Sequence, residues 1–489
     1  MKRLMIWLIL PVFITAGQAQ PLAPCGTTEA PTPWLKAYQQ NPSAYYRANN
    51  DTLYVPLAIH LVGQDNGFGY MTMSKLLDAF CTLNEDFQSA AIRFYIKGDI
   101  RYISNSTYFD HNFGEGYDMM VQNNVSDALN CYVVSSPAGN CGYSSYGLGV
   151  ALAKSCMNAS DHTWAHELGH QLSLPHPFNG WEGYEHNYSQ NAPASIGFDA
   201  VERVDGSNCQ FAGDGFCDTE PDYLNFRWTC GANSRSNIIQ KDPVGAEFRS
   251  DGTLIMGYSD DGCQTRFTEE QIGAMRANLL TERQFLLYNQ NPPVPVASTN
   301  LSPIFPQDGQ LFANDASFTL EWEPIEGARF YIVEATVLPN FAITLWRAVT
   351  TQPYVDISAE NLIPNKTAYW RIRPFNGYDG CVGYSDIHSF QLGSTVAIRE
   401  SSGPVEHLEV RPNPIAGGQA LTLSFYTART LPIRASLLAL TGQELRRQSF
   451  NAIPGDNRLA IPTAGLPAGL YLIRLEGAGA VVYRKVVVE

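Results

Sequence analysis

The stretch His166-Glu-Leu-Gly-His170-Gln-Leu-Ser-Leu-Pro-His176 restricts this chain more than any other part of its sequence. Residues four apart on a helix share a face, so a helix here points two imidazoles at one place and sets Glu167 beside the first. A catalytic zinc ion uses three protein ligands and one open position. His176 completes the set if the helix ends near Leu172 or Ser173 and the chain turns back, which Pro175 favours because proline cannot continue a helix. Ser160 and Asp161 are candidate caps at its start. Two histidines four apart can also be ordinary helix residues, but that reading leaves the third, at the required offset, without a reason. His162 and His186 fall off the spacing and read as ordinary polar side chains.

The N-terminus places this site outside the cytosol. Lys2 and Arg3 precede an apolar run from Leu4 to Ala16, and Gly17-Gln18-Ala19 supplies small residues, so residues 1–19 read as a secretory signal peptide cut after Ala19. No later stretch reaches the roughly 20 apolar residues of a spanning helix, so no transmembrane segment is expected in the mature form. Lys and Arg total 32 against 47 Asp and Glu, a formal charge of −15, and loss of Lys2 and Arg3 makes it two units more negative. Such a surface repels phosphate backbones, which argues against a nucleic-acid partner. In an oxidising compartment Cys81, Cys131, Cys141, Cys156, Cys209, Cys217, Cys230 and Cys263 suffice for four bridges, leaving Cys25 and Cys381 over; spacing alone does not fix the pairing.

The chain of 489 residues holds several cores. Polar and proline residues from Asn289 to Thr299 read as a linker, and a second break falls near Gly393 and again over Glu400–Pro404. The expected order is a signal peptide (1–19), a short pro-segment (20–48), a catalytic domain (49–290) and two all-β sandwich domains (300–393 and 408–489). Within 49–290, Leu76, Leu77, Phe80, Leu83 and Phe87 recur at helical spacing behind Ser74. Leu53–Leu61, Ile92–Ile96 and Cys131–Val134 have strand composition, so the domain reads as α+β.

Downstream, Met256-Gly-Tyr258 is followed by Cys263 and then Arg266-Phe267-Thr268 ahead of a helix. Together with the extended histidine motif, this resembles the metzincin zinc metallopeptidases, and among them the pappalysin family. The resemblance implies hydrolysis of peptide bonds in extracellular proteins by a zinc-bound water, with Zn²⁺ on His166, His170 and His176 and Glu167 as general base. It also implies a methionine turn at Met256 below the metal, Tyr258 steadying the tetrahedral intermediate, and a Cys230–Cys263 pair bracing that turn. Metzincins usually carry glycine where this chain has Ser173, and a left-handed conformation there costs a non-glycine residue about 1 kcal/mol.

Cys25 stands in the pro-segment, and a thiolate is a good zinc ligand. Relatives hold such a cysteine in the open zinc position until the segment is cut away, so Cys25 is the expected latent-form ligand; the alternative is a cysteine paired elsewhere. Gly213-Asp-Gly-Phe-Cys-Asp-Thr resembles a calcium-bearing segment of pappalysins, which makes Asp214, Asp218 and Thr219 the expected Ca²⁺ ligands, against the alternative of a solvated acidic turn. For substrate choice, Gly262 stands where some relatives place an acidic residue selecting basic side chains; Asp260 and Asp261 are the nearby carboxylates.

Phe318-Thr-Leu-Glu-Trp322, Arg329-Phe-Tyr-Ile-Val333 and Leu362-Ile-Pro through Tyr369 resemble a fibronectin type III domain. Arg411-Pro-Asn-Pro414, Leu438-Ala-Leu-Thr-Gly-Gln-Glu444, Leu466-Pro-Ala-Gly-Leu-Tyr and Lys485-Val-Val-Val-Glu489 resemble the C-terminal sorting domain of the type IX secretion system. That resemblance implies the secretion machinery as a partner and a secreted or surface-attached product. Two other functions fit parts of the sequence: a surface adhesin on an inactive peptidase scaffold, and a zinc amidase acting on cell-wall peptides.

Overall fold

The computed structural model describes residues 22–28, 30–47, 51–288, 294–297, 303–393, 405–439, 443–478 and 480–489. The signal peptide and much of both proposed linkers lie outside them. The chain divides into two compact units, Met1–Asn291 and Pro292–Glu489, so the two sandwiches expected as separate domains share one unit.

The first unit is built on a mixed sheet. Its long central strand, Leu53–Gly63, is buried along nearly its whole length, as a strand covered on both faces must be. Parallel to it run Leu129–Val134 on one side and Ile92–Ile96 with Arg101–Ser104 on the other. Beyond Leu129–Val134 lies Gly149–Ala153, also parallel, and then Asn140–Ser145, which is antiparallel to it. The outermost strand is Ala23–Cys25, parallel to Asn140–Ser145. The segment expected to precede the folded domain thus contributes to its sheet, and the following helix Pro33–Gln40 buries Leu35 completely.

The helix Met73–Asp86 packs Leu76, Leu77, Phe80 and Leu83 inward, each at most 1% exposed. At about 1.5–3 kcal/mol per fully buried side chain, these outweigh its uncapped start: Thr72, not Ser74, occupies the cap position, and no side-chain oxygen bonds the first turn. Among the cysteines, Cys141–Cys156, Cys209–Cys217 and Cys230–Cys263 are bridged. Cys131 remains a free thiol, because its strand carries it into the core where Trp164 Nε1 donates to its sulfur at 3.4 Å. Cys381 is itself disulfide-bonded and is not left over.

In the second unit, Pro303–Phe305, Ser317–Trp322 and Tyr354–Ser358 form one sheet, facing a second made of Gln310–Ala313, His388–Gly393, Thr367–Phe375, Phe330–Thr336 and Trp346–Thr350. Alternation along Thr367–Phe375 turns Trp370 into the core beside Trp322, both fully buried, and leaves Tyr369 half-buried on the other face. Residues 405–489 form a second sandwich with its own core around Leu421, Leu423, Ile433, Leu437 and Ile473. Among the described residues no helix is long and apolar enough to cross a membrane.

Candidate functional site

The helix Thr163–Gln171 is buried at every position. It starts at His162, whose side chain makes no cap bond. The adjacent Asp161 carboxylate accepts from Thr163 N at 2.9 Å, so one of the two cap candidates satisfies the first turn, while Ser160 bonds Asn158 instead. His162 is held by Asp86 at 2.9 Å, the ordinary polar role expected of it. The helix stops at Leu172, and Ser173 takes φ +73°, the left-handed conformation usually left to glycine. Its hydroxyl offsets that cost: it donates to Tyr146 Oη at 3.1 Å and accepts from Thr32 and from Asn278 Nδ2 at 3.2 and 3.1 Å.

The reversal brings His176 back onto the helix. The Nε2 atoms of His166, His170 and His176 lie 3.2 Å from one another, and with Cys25 Sγ they form a group whose ligand atoms all fall within 4.8 Å. Each Nδ1 faces away, onto Ile255 O at 2.8 Å, Leu174 O at 2.7 Å and Glu182 Oε1 at 3.0 Å respectively. Acceptors at all three Nδ1 atoms require Nδ1–H, which leaves three Nε2 lone pairs converging on one point. Burial disfavours charge on all three rings, lowering His166 to about 4 and the other two well below the usual imidazole range. Three neutral imidazoles with converging lone pairs suit a zinc ion.

Glu167 is fully buried, and burial raises it to about 8. Its Oε2 accepts from Thr27 Oγ1 at 3.2 Å and the Cys25 thiol lies beside the carboxylate, while Oε1 has no partner within hydrogen-bond geometry among the described residues. A side chain at Gly142 would press on Glu167 Cγ at 2.7 Å, so the strand Asn140–Ser145 must be bare there. Met256 lies beneath the helix, where a methyl group at Gly169 would collide with its sulfur. The same turn presents Ile255 O to His166, and Cys230–Cys263 ties its far side. The Tyr258 ring packs 5.0 Å from His176 and 4.5 Å from Phe178, and its hydroxyl donates to Cys25 O at 3.2 Å.

The segment Cys25-Gly26-Thr27 therefore meets each part of this site. Cys25 Sγ is 3.7 Å from His170 Nε2, and Thr27 bonds the Glu167 carboxylate. Gly26 N donates to Gly142 O at 2.9 Å, and Ser144 N to Thr27 Oγ1 at 2.8 Å. Burial, then the nearby Glu167, pushes the Cys25 thiol well up.

The three residues expected to hold calcium lie in one turn, where burial and, to a smaller degree, the nearby Asp218 raise the Asp214 carboxyl to about 7. Asp214 is buried and accepts from Phe216 N and Thr219 Oγ1, but exposed Asp218 instead accepts from Glu270 N at the start of the helix Glu269–Leu280. The buried carboxylate of Glu202 lies near both Asp214 and the likewise buried Asp222, which spacing could not identify because the intervening loops have no regular period. Glu202 Oε2 has no hydrogen-bond partner among the described residues, and burial, then Asp214 and Asp222, raise this carboxyl to about 9. Asp260 and Asp261 are both ion-paired with Arg227. His186 packs against Trp181 and Tyr188, away from the three histidines.

Residues 409–489 match the family described as the secretion system C-terminal sorting domain. The chain is thus a type IX secretion substrate, exported to the cell surface or released. No curated protein matches it. Among solved structures it is similar to the chicken CNTN1 FN1-FN3 domains, at 13% identity over 40% of this chain and 66% of that one, with TM-score 0.18. It is also similar to the fibronectin(III)-like modules of Clostridium thermocellum CbhA, at 10% identity over 38% of this chain and 92% of that one, with TM-score 0.16. A third is the alpha-L-rhamnosidase from Dictyoglumus thermophilum, at 12% identity over 40% and 29% of the two chains, with TM-score 0.19.

Proposed function

We propose that the protein is an exported zinc-dependent metalloendopeptidase of the pappalysin type, made as a latent precursor. The observation that carries this reading is the convergence of three Nε2 lone pairs at 3.2 Å beside a buried carboxylate with one free oxygen. Zinc, when bound by the three histidines, supplies Lewis acidity for water activation and carbonyl polarisation. Glu167 Oε1 accepts the proton of the attacking water and delivers it to the leaving amine. Tyr258, once its hydroxyl no longer donates to Cys25 O, donates to the developing oxyanion. Cys25 serves as the ligand of the latent form. The fibronectin-like sandwich acts as a spacer or binding module behind the peptidase.

The remaining Glu167 oxygen argues against an adhesin on a retired scaffold, since a retired site has no use for a buried carboxylate oxygen left without a hydrogen-bond partner at a cost. The processed protein is expected to carry about one zinc per chain and to cut a mixed peptide library. Metal analysis with mass spectrometry of the library checks this. Zinc without peptide cleavage would favour the amidase or the adhesin instead.

The same reading includes a structural Ca²⁺ held by Asp214 and Glu202, with Thr219 supporting Asp214 and Asp218 left out. Burial, then the neighbouring Asp214 and Asp222, raises Glu202 to about 9, and buried carboxylates placed this close are the donor set of a hard cation. Millimolar Ca²⁺ is expected to raise the melting temperature of the whole chain, and Glu202→Gln to remove most of that increase while Asp218→Asn keeps it. Equal shifts in all three proteins would sink the assignment.

A further inference from the structure

We propose that Glu182 is a positioning residue that fixes the tautomer of His176 and thereby sets how tightly the three histidines hold their metal. This rests on the metallopeptidase reading. Two of the three rings are oriented by backbone carbonyls, Ile255 O and Leu174 O, which accept and cannot donate. His176 alone depends on a side chain: its Nδ1 donates to Glu182 Oε1 at 3.0 Å. Glu182 is held in turn by Gly180 N, which donates to Oε2 at 2.8 Å. The segment from His176 to Glu182 turns back on itself through Asn179 N to His176 O and Trp181 N to Phe178 O. Phe178 stacks on the His176 ring at 4.5 Å, which fixes its plane but says nothing about its proton. That choice falls to Glu182. An anionic acceptor at Nδ1 also makes Nε2 a better donor to a dication.

The near-isosteric amide separates this role from a structural one. Both partners of Glu182 are donors, His176 Nδ1–H and Gly180 N–H, and a carboxylate satisfies both. A glutamine has one oxygen. If that oxygen accepts from Gly180 N, its NH₂ faces Nδ1 and favours the tautomer with the proton on Nε2, which cannot bind metal. Glu182 is one-quarter exposed, so exchanging it for glutamine removes little packing.

The test uses the full chain, with zinc affinity read by competition against a chromogenic chelator and melting temperature read on the metal-free proteins. Glu182→Gln is expected to bind zinc about 10- to 100-fold more weakly than the parent, with an unchanged metal-free melting temperature, and Glu182→Asp to recover part of the affinity. Parent-like zinc affinity in Glu182→Gln overturns the proposal and leaves the metallopeptidase reading intact. Weaker binding together with a lower metal-free melting temperature also overturns it, since Glu182 would then brace the loop rather than the proton. A parent chain that binds no zinc overturns the underlying reading and this proposal together.

Discussion

Glu167→Ala in the processed protein is expected to lower kcat/KM on a peptide substrate by about 10²- to 10⁴-fold, the usual contribution of a positioned general base. Zinc content should not change, because the three Nε2 atoms and their Nδ1 partners do not involve this side chain. In the uncut chain stability should hold or rise, since the substitution removes a fully buried carboxyl group whose Oε1 has no hydrogen-bond partner among the described residues. Kinetics on one peptide, metal analysis and a thermal melt give all three results. Parent-like turnover with zinc bound would remove Glu167 from the mechanism.

Cutting the chain between Thr27 and the helix Pro33–Gln40 is expected to switch activity on. Thr28 and Ala30 in this interval are exposed, whereas Leu35, Trp34 and Gln39 anchor the following helix to the body through burial and bonds to Thr281 and Asp214. A cut there frees the strand without unseating the helix. A plug that occupies the site about 99% of the time holds activity down about 100-fold, so limited proteolysis should raise kcat/KM by at least about that factor. The single variant Cys25→Ala is expected to stay largely latent. Thr27 still covers the Glu167 carboxylate, the carbonyl of residue 25 still occupies Tyr258, and Gly26 N still pairs with Gly142 O on the adjacent strand. Peptide turnover before and after cleavage, in the parent and in this variant, tests the arrangement. A whole parent chain as active as the cleaved one would exclude latency, and a fully active uncut Cys25→Ala would place the block in the thiol alone.

The outcome for the cysteines and carboxylates shows where sequence reasoning stops. Cys230–Cys263 followed from resemblance, because both flank one motif. Cys131 was misassigned since its strand, whose neighbours are apolar and aromatic, delivers it beneath Trp164 rather than to another sulfur. Asp218 sits in an acidic turn that looks like a ligand run, yet its backbone direction sends it to a helix N-terminus at Glu270, where the unpaired N–H groups attract a carboxylate. Asp260 and Asp261 look available for a basic substrate until the fold brings Arg227 to them from another part of the chain.

The sequence by itself determined the features governed by short-range rules. Helical periodicity put His166 and His170 on one face with Glu167 between them, and Pro175 forced the turn that returns His176. Apolar alternation marked the sandwich strands, and a set of short motifs spread across the C-terminal segment marked the export domain. Only the tertiary structure decided which oxygen orients each imidazole, that Glu182 serves His176 and that Thr27 covers the base. It also decided that Glu202 joins Asp214, and that the segment around Cys25 becomes an edge strand of the sheet. These are contacts between residues joined by irregular turns or separated by 89 positions or more, whose meeting depends on how whole layers pack and not on any local period.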